Sequence, residues 1–195
     1  MCALGTLFPK EWALFLGNSM PIRDANALFS IPTSLVFANR GVSGIDGNIA
    51  TAAGIAQATR RPTLAIIGDL ALLHDLNSLA LLSQLDTPLI LCVVNNGGGG
   101  IFSFLPFDCT QARFETFLAA SHTLEFSHAA ALFNIPYQHI STHEELSSYL
   151  RTQANAPRSQ LLEIRTCRTE NVRIHTELQC TLTQQLLSAT FAPHL

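Results

Sequence analysis

Charge is what this sequence has least of. Asp, Glu, Lys and Arg make up 13% of its 195 residues and apolar residues 48%, against roughly 25% charged in an ordinary soluble domain. A bilayer does not explain the deficit, because no uninterrupted apolar run approaches the roughly 20 residues a membrane span requires. Surface buried against other protein explains it better, so partner domains or a homo-oligomer are expected. The eleven Lys and Arg are scattered and the net charge is −3, which leaves no basic footprint for nucleic acid. The opening "MCALGTLFPKEW" lacks the basic and apolar regions of a secretory signal. The five cysteines (Cys2, Cys92, Cys109, Cys167 and Cys180) contain no CxxC pair and are odd in number. That pattern fits reduced thiols in a cytoplasmic protein better than a disulfide framework. None of the seven histidines falls in an HExxH-like pattern, so a histidine-held metal is not expected.

What the sequence does have is alternation. The runs "ALFLG" (13–17), "LVFA" (35–38), "TLAIIG" (63–68), "LILCVV" (89–94) and "QLLEI" (160–164) read as buried strands, with "YQHI" (137–140) a weaker sixth. They are apolar on both faces, as a parallel sheet covered by helices requires. Between them lie segments whose apolar residues recur three and four apart: 22–30, 46–60, 75–85, 125–134 and 143–153, with 176–191 closing the chain. The expected fold is α/β, an open, mainly parallel six-stranded sheet with helices on both faces, forming a single domain over 1–195. No internal repeat or low-complexity linker interrupts it.

In such sheets ligands bind beyond the carboxyl ends of the strands. The first four strands are followed by "GNSMPIR", "NRGVSGIDGN", "GDLALLHD" and "NNGGGGIF", which collect most of the glycine, amide and carboxylate functionality of the first half. Asp69 and Asn96 each follow a strand and stand 27 residues apart (96 − 69), about one helix and one strand of a βαβ unit, so they should meet at one sheet edge. A carboxylate, an amide oxygen and a nearby carbonyl are hard oxygen ligands, suited to Mg2+ or Ca2+ rather than zinc. Mg2+ takes its remaining ligands from phosphate oxygens and water, so a phosphorylated ligand is implied. Glycines beside it would let backbone N–H groups approach, and a helix starting at Asp69 would offer its positive end. Taken alone, Asp69 also reads as a helix cap and "NNGGGG" as a floppy loop.

Gly68-Asp69 followed by Asn95-Asn96 resembles the motif with which thiamine diphosphate enzymes hold the divalent metal that anchors their cofactor. The wider wording, "NRGVSGIDGNIATAAG", "GDLALLHDLNSLALL", "PLILCVVNN" and "GGGIFSFLP", is similar to the carboxy-terminal cofactor domain of the MenD family. These are the 2-succinyl-5-enolpyruvyl-6-hydroxy-3-cyclohexene-1-carboxylate synthases of menaquinone biosynthesis. The resemblance implies that Asp69, the side chain of Asn96 and the carbonyl of Gly98 bind Mg2+ or Mn2+. It implies that Ser43, Gly68 and Leu70 join Asp69 and Asn96 around thiamine diphosphate, with Ile45 beneath the cofactor to hold its bent shape. Arg23 and Arg40 would bind substrate carboxylates, with Ser19 beside them in the substrate site, and Ile101 and Phe102 would line the substrate cavity.

Those enzymes are transferases that decarboxylate 2-oxoglutarate and add the four-carbon product to isochorismate. A fixed Arg suits a dicarboxylate, because its fork binds carboxylate bidentately. The activating glutamate belongs to a separate amino-terminal pyrimidine-binding domain. None of the eight glutamates here stands in a matching context, and about a dozen residues precede the first strand. The chain is therefore expected to be a carboxy-terminal fragment, a split subunit or a remnant of a broken gene, inactive alone, with complementary amino-terminal domains as partners. Another thiamine-dependent decarboxylase or acetolactate-type synthase, or a non-catalytic cofactor-binding remnant, stays open. Two departures stand out. Gly97 replaces a frequent third Asn, and Ala71 a frequent Ser whose lost hydrogen bond is worth about 1 kcal/mol. The lengthened glycine run is expected to add flexibility and an ordering cost. His74 also resembles a family position, at most in the surroundings of the site.

Overall fold

The computed structural model describes residues 8–28, 35–106 and 112–190, with side chains to 187. Six parallel strands form one sheet in the order β2-β1-β3-β4-β6-β5. They are β1 (Ala13–Leu16), β2 (Val36–Phe37), β3 (Thr63–Gly68), β4 (Leu89–Asn95), β5 (Tyr137–Ile140) and β6 (Gln160–Arg165). The helices are α1 (Met20–Leu28), α2 (Asn48–Thr59), α3 (Asp69–His74), α4 (Phe126–Leu132), α5 (His143–Asn155) and α6 (Arg168–Thr190). All six expected strands are present, and every strand pair is parallel.

Two cores, one on each face, explain why the strands are apolar throughout. Ala65 and Ile67 of β3 and Leu89, Leu91 and Val93 of β4 pack with Ile49 of α2, Leu72 of α3 and Phe126 of α4. The alternate residues Leu64, Ile66, Ile90 and Cys92 pack with Ala25 of α1 and with Leu146, Tyr149 and Leu150 of α5. Period-two alternation sends successive side chains into opposite layers. Burial pushes the Cys92 thiol up to about 12, so it is protonated core packing. Among the described residues Cys92, Cys167 and Cys180 are free, while Cys2 and Cys109 lie outside them. No described helix is long and apolar enough to cross a membrane.

Residues 76–84 differ from expectation, winding as a 3-10 helix rather than an α-helix. Leu76, Leu79, Leu82 and Leu85 recur every three residues, and all four pack on the first core. A helix of three residues per turn keeps that whole row facing inward, which 3.6 per turn would not. At the other end α6 begins at Arg168, ahead of its apolar pattern. Arg173 pairs with Glu170 and Glu177 at i,i+3 and i,i+4 spacing there, a signal that a search for apolar periodicity passes over.

Candidate functional site

The chain leaves β1 toward β2 on one side and β3 toward β4 on the other, while β1 and β3 lie side by side. Loops that diverge from neighbouring strands leave a crevice at their carboxyl ends. A cleft of about 610 Å³ opens there. The loop after β1 contributes Ser19 and helix α1 contributes Arg23; the loop after β2 contributes Arg40, Ser43 and Ile45; β3 and its exit contribute Gly68, Asp69 and Leu70; the segment after β4 contributes Asn96, Gly98, Ile101 and Phe102. The residues assigned from sequence to metal, cofactor and substrate thus share one cavity wall. His74 does not line it, and is exposed at the end of α3.

Strand register brings the two key residues together. Gly68 is level with Val94, so the next residues emerge at the same edge. The buried Asp69 accepts at Oδ2 from the Asn96 N–H at 3.1 Å and the Gly98 N–H at 2.8 Å, and at Oδ1 from the Leu70 N–H at 2.7 Å. Three of about four lone-pair directions are thereby used by backbone donors. Among the described residues the buried Oδ1 atom of Asn96 has no hydrogen-bond partner, and the Gly98 carbonyl accepts from the Gly100 N–H at 2.9 Å. A buried amide oxygen left unpaired forfeits about 1–3 kcal/mol, and a hard cation recovers that loss. The donor set therefore fits Mg2+ or Mn2+ better than a softer metal. Among the described residues no group of three His, Cys, Asp or Glu offers an alternative. Helix α3 starts at Asp69, as expected from the sequence, and is six residues long.

The glycine run is held in the fold by contacts that its composition does not announce. Gly97 and Gly98 hold φ of 71° and 145°. The Gly99 N–H donates to the Ala119 carbonyl at 2.6 Å, and the His122 N–H to the Gly97 carbonyl at 3.2 Å. A Cβ on Gly98 would stand 2.5 Å from the Ala119 carbonyl oxygen, and one on Gly99 2.9 Å from the Phe102 ring. Residues 118–122 are thus fastened against the run at a distance only glycine allows, so its order comes from backbone contact.

Several contributors had not been singled out. Buried Asn18 donates to the carbonyls of Asn39 at 2.7 Å and Gly44 at 2.6 Å, and accepts from Arg40 Nη1 at 2.6 Å. It shapes the second loop and aims its arginine, and its position directly after the Gly that follows β1 was the available signal. Ser19 beside it holds a positive φ of 74°, a strained conformation for a non-glycine residue. Asp75, next to His74, accepts at Oδ2 from the N–H groups of Ile49 at 2.6 Å and Ala50 at 3.0 Å, capping α2 from another element. His122 Nε2 stands 3.4 Å from Asp69 Oδ2, inside ion-pair range but without hydrogen-bond geometry. Nothing in the sequence marks a contact spanning 53 positions.

Glu163 on β6 is fully buried. Burial by itself would raise its pKa, but donors on Tyr137, Asn95 and Arg165 outweigh it and hold the carboxyl below its ordinary 4.5. A depressed native pKa stabilises the fold above the unfolded value and loses that contribution as pH falls through the native one. The unfolding free energy is therefore expected to decline below about pH 4.5, and Glu163→Gln to flatten the decline. Urea unfolding from pH 3 to 7 reads both, and equal slopes in the two proteins would contradict the assignment.

Residues 23–164 match the family described as thiamine pyrophosphate enzyme, C-terminal TPP binding domain. The chain is 42% identical over 183 residues to the 2-succinyl-5-enolpyruvyl-6-hydroxy-3-cyclohexene-1-carboxylate synthase of Chlorobium limicola, covering 92% of this chain and 31% of that protein. It is 45% identical over 177 residues to the synthase of the same name from Salinibacter ruber, covering 89% and 29%. The chain therefore spans about a third of the length of these relatives. Among solved structures it is similar to a Mycobacterium smegmatis protein assigned to the thiamin diphosphate-dependent enzymes, with TM-score 0.68 at 23% identity over 85% of this chain and 30% of that one. Benzoylformate decarboxylase from Polynucleobacter necessarius superposes with TM-score 0.69 at 17% identity, over 85% and 32%. These two likenesses concern the fold.

Proposed function

This chain belongs to the thiamine pyrophosphate enzymes through their C-terminal TPP-binding domain, and from that premise we propose that it is the cofactor-holding part of a 2-succinyl-5-enolpyruvyl-6-hydroxy-3-cyclohexene-1-carboxylate synthase. The observation that carries the cofactor reading is the buried Oδ1 of Asn96, unpartnered among the described residues, on a residue that lines the cleft with Asp69 and donates its backbone N–H to that carboxylate. The identity of 42% and 45% to two such synthases supports the particular reaction.

In this reading Asp69, Asn96 and the Gly98 carbonyl hold Mg2+ or Mn2+, and the cleft wall at Ser43, Gly68 and Leu70 receives thiamine diphosphate. The bound cofactor supplies the electron sink for decarboxylation next to a carbonyl. Ile45 is half-buried against the first core, and its backbone carbonyl accepts from Asn48 Nδ2 at 2.5 Å. A stiff β-branched side chain on a fixed backbone is suited to hold a ligand bent. Arg40, aimed by Asn18, and Arg23 put two permanent positive charges on the cleft wall, matching a dicarboxylate such as 2-oxoglutarate. Ile101 and Phe102 present apolar surface that keeps water from the reacting carbon and accepts a ring such as isochorismate. Complementary amino-terminal domains, and a homo-oligomer of the complete enzyme, would cover the exposed apolar residues of this chain.

Calorimetric titration of thiamine diphosphate into the chain tests the cofactor reading. Binding that requires Mg2+ or Mn2+ is expected, with no turnover of 2-oxoglutarate by the chain alone. Equal binding with and without the metal would overturn the cation site, and turnover by the chain alone would overturn its dependence on further domains.

A further inference from the structure

Glu163 is a fully buried carboxylate that does not line the cleft. Its recorded hydrogen-bond partners all donate to it. Asn95 Nδ2 reaches Oε1 at 2.7 Å, Arg165 Nε reaches the same oxygen at 2.9 Å, and the Tyr137 hydroxyl donates to Oε2. Asn95 is the last residue of β4, directly before the cation loop. Its side-chain oxygen accepts the Gly97 N–H at 3.0 Å, and its backbone carbonyl accepts the Thr166 N–H at 2.8 Å.

The two ends of an Asn amide have nearly the same shape and opposite hydrogen-bonding sense. An ionised Glu163 only accepts, so it turns the Asn95 nitrogen toward itself and leaves the oxygen for Gly97. Rotating the amide by half a turn would set an oxygen against the carboxylate and an N–H against the Gly97 N–H. Buried charge is costly to keep, and here it decides one orientation at the strand end.

We propose that Glu163 is a positioning residue for the cation loop: by accepting from Asn95 Nδ2 it orients the Asn95 amide, whose oxygen then fixes the Gly97 turn so that Asn96 Oδ1 and the Gly98 carbonyl face the cleft. Support reaches the loop from two strands away, through Tyr137 on β5 and Glu163 on β6. The part of this inference that concerns the cation rests on the cofactor reading above.

Three forms of the 195-residue chain separate orientation from general stability. Glu163→Leu removes the acceptor. Glu163→Gln keeps an oxygen for Asn95 and Arg165, and its new NH2 faces the Tyr137 hydroxyl, which can turn to accept. Amide hydrogen exchange is read at Gly97 and Gly98 and, as reference, at Leu91 and Val93 in mid-β4; metal-dependent thiamine diphosphate binding is read by calorimetry. Glu163→Leu is expected to speed exchange at Gly97 and Gly98 at least tenfold more than at the reference amides and to weaken binding at least tenfold. Glu163→Gln is expected to stay within about threefold of the parent on both. Uniform acceleration along β4, or a Gln variant as impaired as the Leu variant, would overturn the proposal. If Glu163→Leu does not fold, the Asn95 side-chain amide protons of the unsubstituted chain decide, since rapid exchange there contradicts the bond to Glu163. Failure of the unsubstituted chain to bind cofactor would count against the cofactor reading alone, and the exchange at Gly97 would still judge Glu163.

Discussion

Alanine at position 98 is expected to remove a large part of the chain's stability together with the cation binding proposed for the end of β4. The φ of 145° at Gly98 lies where L-residues rarely go, and an added Cβ would stand 2.5 Å from the Ala119 carbonyl oxygen and 3.3 Å from the Ser121 Cα. Both neighbours are backbone, fixed by the Gly99 to Ala119 and His122 to Gly97 hydrogen bonds. No flexible side chain can swing aside, so either residues 118–122 detach or the loop abandons Asp69. A loss of at least about 3 kcal/mol follows, out of a total of roughly 5–15 kcal/mol for an ordinary domain. Gly97→Asn is the informative contrast. Its Cβ would meet the His122 carbonyl at an ordinary 3.4 Å and φ is 71°, a region Asn tolerates. A loss of no more than about 1 kcal/mol is expected. Urea unfolding of the two variants reads the difference, and similar midpoints would show that the loop yields more easily than its contacts imply.

The second large effect belongs to Asp69. Alanine there strands the N–H groups of Leu70, Asn96 and Gly98, which now share one buried carboxylate. At about 1–3 kcal/mol for each unsatisfied donor, the loss approaches the stability of the whole domain. Asp69→Asn is gentler. It keeps one oxygen for the pair from Asn96 and Gly98, turns its NH2 against the Leu70 N–H, and should lose about 1–3 kcal/mol. The removed negative charge should still weaken metal-dependent cofactor binding at least a hundredfold. Calorimetry beside an unfolding curve distinguishes the two losses. A folded Asp69→Asn chain with undiminished metal-dependent binding would mean that this carboxylate serves the backbone alone.

The sheet was legible because its strands are apolar on both faces and its chemistry follows them in sequence. Leu64 and Ile66 point to one core and Ala65 and Ile67 to the other, which is why "TLAIIG" reads as a covered strand with a functional exit. The meeting of Asp69 and Asn96 was legible from spacing, since one βαβ unit returns the chain to the neighbouring strand in register. Segment 76–85 was misread because leucines three apart satisfy a loose helical pattern while specifying the tighter helix. The order of the glycine run was hidden because it comes from Ala119 and His122, some twenty positions away, through backbone atoms that carry no side-chain signature. Glu163 and Asn95 were hidden for a related reason, because a buried acid is recognisable only when its donors from other strands are known.

The central claim is that Asp69 and Asn96 share one cation. Anomalous diffraction from crystals of this chain grown with Mn2+ and thiamine diphosphate tests it most directly. The account predicts a single peak within metal–oxygen bonding distance, about 2.1 Å as for Mg2+, of an Asp69 carboxylate oxygen, Asn96 Oδ1 and the Gly98 carbonyl. A peak that lacks Asn96, one elsewhere in the cleft, or no peak at all would contradict it.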